Sequence, residues 1–283
     1  MADRVLMTET LRDAWQGLKH VVPTEAKREH LARLIDAGFT SIDIGSFVST
    51  SRVPAMADTD VLLDGLALPD TLLVTALIAN GRGLDRLLDV AGIGEVLYPF
   101  SLSEAFQKRN TNRTREAALS ELGELTARCH GESRRMYATI SMAFGNDEGE
   151  PFDAAELAGW VGRLRAAGVD RIGLADTTAQ ATPAIVRDVL AAVRESDDGP
   201  VPGVHLHVTE DSALGLVDAA LDGGCRSFDV ALGGLGGCPF SRGPESNLST
   251  LQLAQHLVAR GFDPGLPLEP LPELDQAARR LAG

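Results

Sequence analysis

Two histidines one residue apart, His205 and His207, lie in the apolar run Val204-His205-Leu206-His207-Val208. In a β-strand, residues i and i+2 share a face, so both imidazoles look one way while Val204, Leu206 and Val208 look the other. Two imidazoles on one face can hold one metal ion, and a hydrogen-bonded pair in a polar barrel interior fits the same spacing. Asp13 and Asn247 offer further donors. With the histidines they supply one carboxylate, two imidazoles and one amide oxygen. That mixture suits an octahedral divalent ion such as Mg²⁺ or Mn²⁺ with open positions, and suits closed tetrahedral zinc less well because no thiolate is included. A hydroxyl next to a carbonyl or carboxylate would chelate at the open positions, where the ion acts as a Lewis acid toward an alkoxide or enolate.

Arg12, beside Asp13, adds a second positive charge where negative charge develops; an ordinary salt bridge to Asp13 or Asp43 is its other reading. For Asn247 the alternative is an N-cap of the last helix. The run Gly233-Gly234-Leu235-Gly236-Gly237-Cys238-Pro239 has four glycines in the five residues before a cysteine. Glycines let a loop move and approach a ligand, so the run reads as a lid that delivers the Cys238 thiol for proton transfer, or as a plain flexible turn with an inert cysteine.

These residues need a frame, and the chain supplies one by alternating short β-rich runs with helical periodicity. Strands are expected at 5–8, 40–47, 71–78, 95–100, 135–142, 170–174, 201–208 and 227–231. Helices are expected at 24–37, about 57–66, 84–91, about 114–129, 153–167, 183–194, 211–222 and about 248–260, with a polar, basic connection at 107–110. Eight strand-then-helix units describe a (β/α)8 TIM barrel over 1–283 as one domain, with a closing helix after about residue 264. An open doubly wound sheet would need a glycine-rich turn after strand one, and Leu11-Arg12-Asp13-Ala14-Trp15-Gln16 stands there instead. In such a barrel chemistry collects at the C-terminal strand ends, where Arg12, Asp13, Asp43, Asp176, His205, His207 and Cys238 fall.

A formal net charge of −14 argues against nucleic acid or an anionic membrane as the main partner, while leaving anionic small molecules open. The amino terminus lacks the build of a signal peptide, and no apolar run approaches the roughly 18 to 20 residues that span a bilayer. A cytoplasmic location is the default expectation. Three unclustered cysteines, Cys129, Cys225 and Cys238, make neither a disulfide framework nor a zinc knuckle.

The sequence resembles 3-hydroxy-3-methylglutaryl-coenzyme A lyase, within the wider group of metal-dependent barrels that make or break carbon–carbon bonds. The resemblance is carried by Leu11-Arg12-Asp13 with Gln16, Val22-Pro23-Thr24, Ser46-Phe47-Val48-Ser49 with Val53-Pro54 and Met56, His205-Leu206-His207, Gly234 to Phe240, and Asn247-Leu248. It implies that Asp13, His205, His207 and Asn247 are the metal ligands, Arg12 stabilises an enolate, and Cys238 acts as acid or base. It also implies a catalytic part for Asp176 and, by position, for Asp43, and a coenzyme A contact through Lys108 and Arg109. The last two also read as a solvated surface run. The implied reaction is retro-Claisen cleavage of a 3-hydroxyacyl-CoA to acetyl-CoA and a keto acid, in a homo-oligomer, a dimer by resemblance.

The departures concern the substrate-facing shell. Ala14-Trp15 replaces glycine-leucine and is expected to set an indole beside the metal, with Trp15 and Gln16 as substrate contacts. Val208 follows the histidine pair where Asp or Asn is usual, Asp43 replaces a longer glutamate, and Glu210-Asp211 form an unexpected acidic pair. Two rivals stand beside the lyase. One is a condensing enzyme of the isopropylmalate or citramalate synthase type, acting on another hydroxy acid; such enzymes usually carry an extra C-terminal region, whereas this chain ends soon after the barrel. The other is a non-catalytic barrel that binds a metal or an acyl-CoA.

Overall fold

Eight parallel strands close on themselves in the order β1-β2-β3-β4-β5-β6-β7-β9, with β9 pairing back to β1 through Leu6↔Ser227 to Glu9↔Val230. The computed structural model describes residues 2–196, 198–209, 211–236 and 246–283. The barrel strands are β1 (Leu6–Thr10), β2 (Ser41–Ser46), β3 (Leu73–Leu77), β4 (Glu95–Ser101), β5 (Arg135–Ser141), β6 (Arg171–Ala175), β7 (Gly203–His205) and β9 (Ser227–Val230). Between β7 and β9, β8 (His207–Val208) leaves the barrel wall to pair antiparallel with β10 (Ser246–Asn247). The helices in chain order are α1 (Leu11–Gln16), α2 (Thr24–Asp36), α3 (Gly81–Leu88), α4 (Glu104–Thr111), α5 (Arg115–Gly131), α6 (Ala154–Ala166), α7 (Pro183–Ser196), α8 (Ala213–Asp222), α9 (Thr250–Ala259) and α10 (Leu271–Ala282). No helix among the described residues is long and apolar enough to cross a membrane.

The outer ring forms because each long helix buries one aliphatic stripe. In α7 the stripe is Val186, Val189, Leu190 and Val193, which follows the 3.6-residue period. Leu271 and Leu274 seat α10 against the barrel, each contributing about 2 kcal/mol relative to an exposed side chain. Inside the barrel the filling is partly polar: Thr8, Thr75 and Glu95 are buried, and Glu95 is ion-paired to Arg171 at 2.5 Å.

Three stretches depart from the sequence expectation. Residues 57–66 form no α-helix; the β2–β3 crossover holds two 3₁₀ turns, Pro54–Met56 and Thr59–Val61. Side chains pin that crossover: the buried Lys27 ammonium donates to the Ala55 carbonyl at 2.5 Å and to Asp58 at 2.7 Å, and the Thr59 hydroxyl accepts from the Ser46 amide. The supposed basic connection at 107–110 is the second half of α4, whose start is capped by the Ser103 hydroxyl accepting from the Phe106 amide. The expected strand at 201–208 divides at Leu206 into β7 and β8.

Glu9 faces a closed environment behind the site. Its Oε1 accepts from the Leu232 amide at 2.7 Å, and the Thr250 hydroxyl lies 2.6 Å from Oε2. Burial, with Asp275 nearby, pushes its carboxyl up to about 7 despite those two hydrogen bonds. A carboxyl that binds its proton more tightly when folded contributes most at low pH, so stability falls as pH rises from 4.5 to about 7. Replacing Glu9→Gln keeps the shape and removes the ionisation. Chemical denaturation at about pH 5 and about pH 8 should then show a pH-dependent loss smaller than that of wild type by about 3 kcal/mol; equal losses in both proteins would contradict this.

Candidate active site

The site grows from the turn that follows β1. Helix α1 buries Leu11, Ala14 and Trp15, which by helical spacing leaves Arg12, Asp13 and Gln16 on the opposite face, toward the open end of the barrel. The Thr10 hydroxyl donates to the Val230 carbonyl at 2.9 Å and fixes where this helix departs. The same periodicity corrects the expectation for Trp15. Its ring packs edge-on to His30, at 6.4 Å between centroids, and beneath the Lys27 ammonium, so it lies in the core and not beside the metal ligands.

Asp13, His205 and His207 bring one donor atom each to within 4.8 Å of one another. The imidazoles meet Nε2 to Nε2 at 3.2 Å. Their other nitrogens face acceptors: His207 Nδ1 lies 3.2 Å from the Thr177 carbonyl and His205 Nδ1 lies 3.5 Å from Asp229 Oδ2. With the protons on Nδ1, facing those acceptors, both Nε2 lone pairs are available to one cation.

The fourth donor arrives through β10, which pairs Asn247 with His207 in register. The Asn247 amide nitrogen donates to Asp13 Oδ2 at 2.7 Å and to the Leu235 carbonyl at 2.8 Å. Its carbonyl oxygen is buried and accepts no hydrogen bond from any described residue. A buried carbonyl without a donor is expensive, and a divalent ion supplies what it lacks. The N-cap alternative for Asn247 is overturned, since Ser249 caps α9 by accepting from the Gln252 amide. Gly236 closes over this corner at φ +87, where a Cβ would sit 2.7 Å from the Asn247 amide nitrogen and 2.8 Å from the Asp13 carbonyl oxygen.

Arg12 joins two carboxylates, its Nε donating to Asp43 Oδ2 at 2.8 Å and its Nη1 to Asp13 Oδ1 at 3.3 Å. Burial alone would raise the Asp13 carboxyl, but Arg12, the histidines and the Asn247 hydrogen bond hold it below the usual carboxylate range. Burial pushes Asp43 up to about 6 against the pull of Arg12, with Asp229 and Asp13 adding to the rise. Burial opposes charge on His205, yet Asp229 and Asp13 raise it overall; surroundings that favour a proton there favour a metal cation for the same reason.

Arg12, Asp13, His205, His207 and Asp229 form the floor of a cavity of about 680 Å³. Its wall carries Arg52, Arg82, Arg86 and Arg113, which stand in the loops and helix α3 that follow β2, β3 and β4. Asp13 and Asp229, both at the floor, are the only carboxylates among its described lining residues. Gln16 lines this cavity and a neighbouring one of about 540 Å³, which Lys19, His20 and Arg109 also line. Arg109 is paired with Glu148 by hydrogen bonds of 2.8 and 2.5 Å, and Lys108 is exposed and lines neither cavity. The Asp176 carboxylate does not line the cavity either; it accepts from the Gln180 and Ala181 amides and so shapes the loop that carries Thr177. Cys238, Gly237 and the rest of 237–245, like Glu210, lie outside the described residues.

Sequence reasoning did not single out Asp229 or the wall arginines. Asp229 had a readable signal, an acidic residue between Phe228 and Val230 on a barrel strand. The arginines had only their shared place after three successive strands.

Removing one imidazole from such a cluster should release the ion. In His207→Ala, elemental analysis after Mn²⁺ loading is expected to fall from about one ion per chain to a small fraction of that, with the far-ultraviolet spectrum unchanged. Unaltered stoichiometry would show that His207 is not a ligand.

Comparison with known proteins places these features. A family model described as HMGL-like matches residues 5–277. Mitochondrial hydroxymethylglutaryl-CoA lyase from Bos taurus is 33% identical over 264 residues, covering 93% of this chain and 80% of that protein. Among solved structures, HMG-CoA lyase from Brucella melitensis superposes with a TM-score of 0.93 at 29% identity, covering 99% of both chains. An HMG-CoA lyase from Acinetobacter baumannii, solved with coenzyme A and 3-methylmalate, gives 0.91 at 29% identity over 99% of this chain and 92% of its own. The barrel, the donor cluster after β1 and β7, and a match over nearly the full described length agree: this chain belongs to the HMGL-like family.

Proposed function

We propose that the protein is a divalent-metal-dependent carbon–carbon lyase acting on a 3-hydroxy-3-methylglutaryl-CoA-like thioester, with acetyl-CoA and a keto acid as products. The observation that carries this reading is the convergence of the His205 and His207 Nε2 atoms and the Asp13 carboxylate at the floor of an arginine-walled cavity, with a buried, undonated carbonyl on the Asn247 side chain that donates to Asp13. The oxygen and imidazole donors fit Mg²⁺ or Mn²⁺. When bound, such an ion supplies Lewis-acid polarisation of the substrate's oxygen atoms.

The chain's own residues do the rest. Loss of the C3 hydroxyl proton lets the C2–C3 electron pair move toward the thioester, leaving a keto acid and an acetyl-CoA enolate that takes a proton at C2. Arg12, fixed by Asp43 and Asp13, holds its charge where the enolate oxygen develops. Asp43 therefore orients the guanidinium. Asp176 shapes the loop whose Thr177 carbonyl orients His207. The acid that protonates the enolate carbon is assigned to Cys238 on the strength of the glycine-cysteine motif in the sequence. The wall arginines suit a substrate with several anionic groups, as a CoA ester is, on a protein whose net charge of −14 would otherwise repel it. The HMG-CoA lyase relative solved with coenzyme A supports the same substrate class.

Incubating the Mn²⁺- or Mg²⁺-loaded protein with 3-hydroxyacyl-CoA esters and the matching free acids, followed by mass spectrometry, tests this. Cleavage of at least one CoA ester to acetyl-CoA is expected, in preference to its free acid. No cleavage or condensation across the panel would favour a binding protein. Cys238→Ala should lower turnover by about 100-fold or more while leaving bound metal unchanged; full turnover would remove Cys238 from the chemistry.

A further inference from the structure

Beneath the metal ligands, the barrel interior holds a polar column that the reaction above does not use. At its lower end Glu95, with no exposed side-chain surface, grips Arg171, whose Nη2 is 2.5 Å and Nε 3.2 Å from the carboxylate oxygens. The Arg171 guanidinium carbon lies 3.6 Å from the centre of the Tyr137 ring. The Tyr137 hydroxyl, on β5, donates to Asp229 Oδ2, on β9, at 3.1 Å. That same oxygen is 3.5 Å from Nδ1 of His205.

The phenol reaches across the barrel only because β6 carries Gly173. A Cβ there would stand 2.2 Å from the Tyr137 hydroxyl oxygen and 3.0 Å from two of its ring carbons. Burial pushes the Tyr137 phenol well above its ordinary range, so the hydroxyl keeps its proton and acts as a donor. Asp229 lies near enough to Arg12 and to Arg171 to interact with both positive charges. The Tyr137 phenol is the neutral group that donates to it.

We propose that Tyr137 and Asp229 are positioning residues for His205. Asp229 holds the Nδ1 side of the ring so that Nε2 faces the ion, and Tyr137, stacked on Arg171 and admitted by Gly173, locks the carboxylate in that pose. This rests on the reading of Asp13, His205, His207 and Asn247 as the ligands of a divalent ion.

Mn²⁺ titration followed by electron paramagnetic resonance, which sees free Mn²⁺, tests the proposal on the full chain. Wild type should bind one ion per chain. Tyr137→Phe keeps the ring and removes only the donor; it and Asp229→Asn should each weaken Mn²⁺ by about 10- to 100-fold. If Tyr137 acts through His205, then Tyr137→Phe added to His205→Asn should cause no further weakening. Melting of the metal-free proteins, followed in parallel, should show Tyr137→Phe folded and within a few degrees of wild type. Wild-type affinity in Tyr137→Phe, or a further loss in the His205→Asn background equal to the loss in wild type, overturns the positioning role while leaving the metal site standing. Failure of wild type to bind Mn²⁺ overturns the ligand assignment and this proposal together.

Discussion

Two imidazole Nε2 atoms held 3.2 Å apart are the constraint on which the rest of the site depends. Such a pair is repulsive when both protons sit on the far nitrogens, an arrangement that the Thr177 carbonyl and the Asp229 carboxylate favour. A cation turns the repulsion into attraction. The same ion answers the buried Asn247 carbonyl, so two costly features of the protein alone have one remedy.

The backbone is arranged to make that meeting possible. A regular β7 continuing past Leu206 would leave His207 bonded to the neighbouring barrel strands. The chain leaves the wall instead, and the short β8–β10 ladder sets Asn247 opposite His207. Two strands along the barrel, α1 turns a three-residue apolar face into the core and presents Arg12 and Asp13 to the cavity. Charge is sorted in the same direction. Arg12 lies between Asp13 and Asp43, and four further arginines line the cavity wall, while the excess of acidic groups lies elsewhere on the chain. Positive charge is thereby concentrated where an anionic substrate enters.

Much of this was legible in the sequence, and the reasons are physical. The barrel followed from strand and helix periods repeated eight times, and the histidine pair from a period of two on one strand. The carboxylate after β1 stood where barrel loops collect chemistry. Trp15 was misplaced because neighbour-to-neighbour reading ignores helical phase, and Trp15 and Asp13, two residues apart, point to different sides of α1. The 3₁₀ crossover after β2 was read as a helix because its pinning contacts come from Lys27 and Thr59 side chains, which local periodicity does not register. For Asn247 the sequence left an N-cap open beside the ligand reading, because its antiparallel partner is 40 residues away in sequence. The link from Tyr137 to Asp229 spans the barrel and depends on a missing Cβ at Gly173, which only the three-dimensional arrangement reveals.

The most direct test of the central claim is the anomalous diffraction of crystals grown with Mn²⁺, recorded on both sides of the manganese absorption edge. One strong peak per chain is expected within coordination distance of Asp13, of Nε2 of both His205 and His207, and of the Asn247 carbonyl oxygen. A peak that left any of the two imidazoles or the amide oxygen outside coordination distance, or no peak in the cavity, would contradict it.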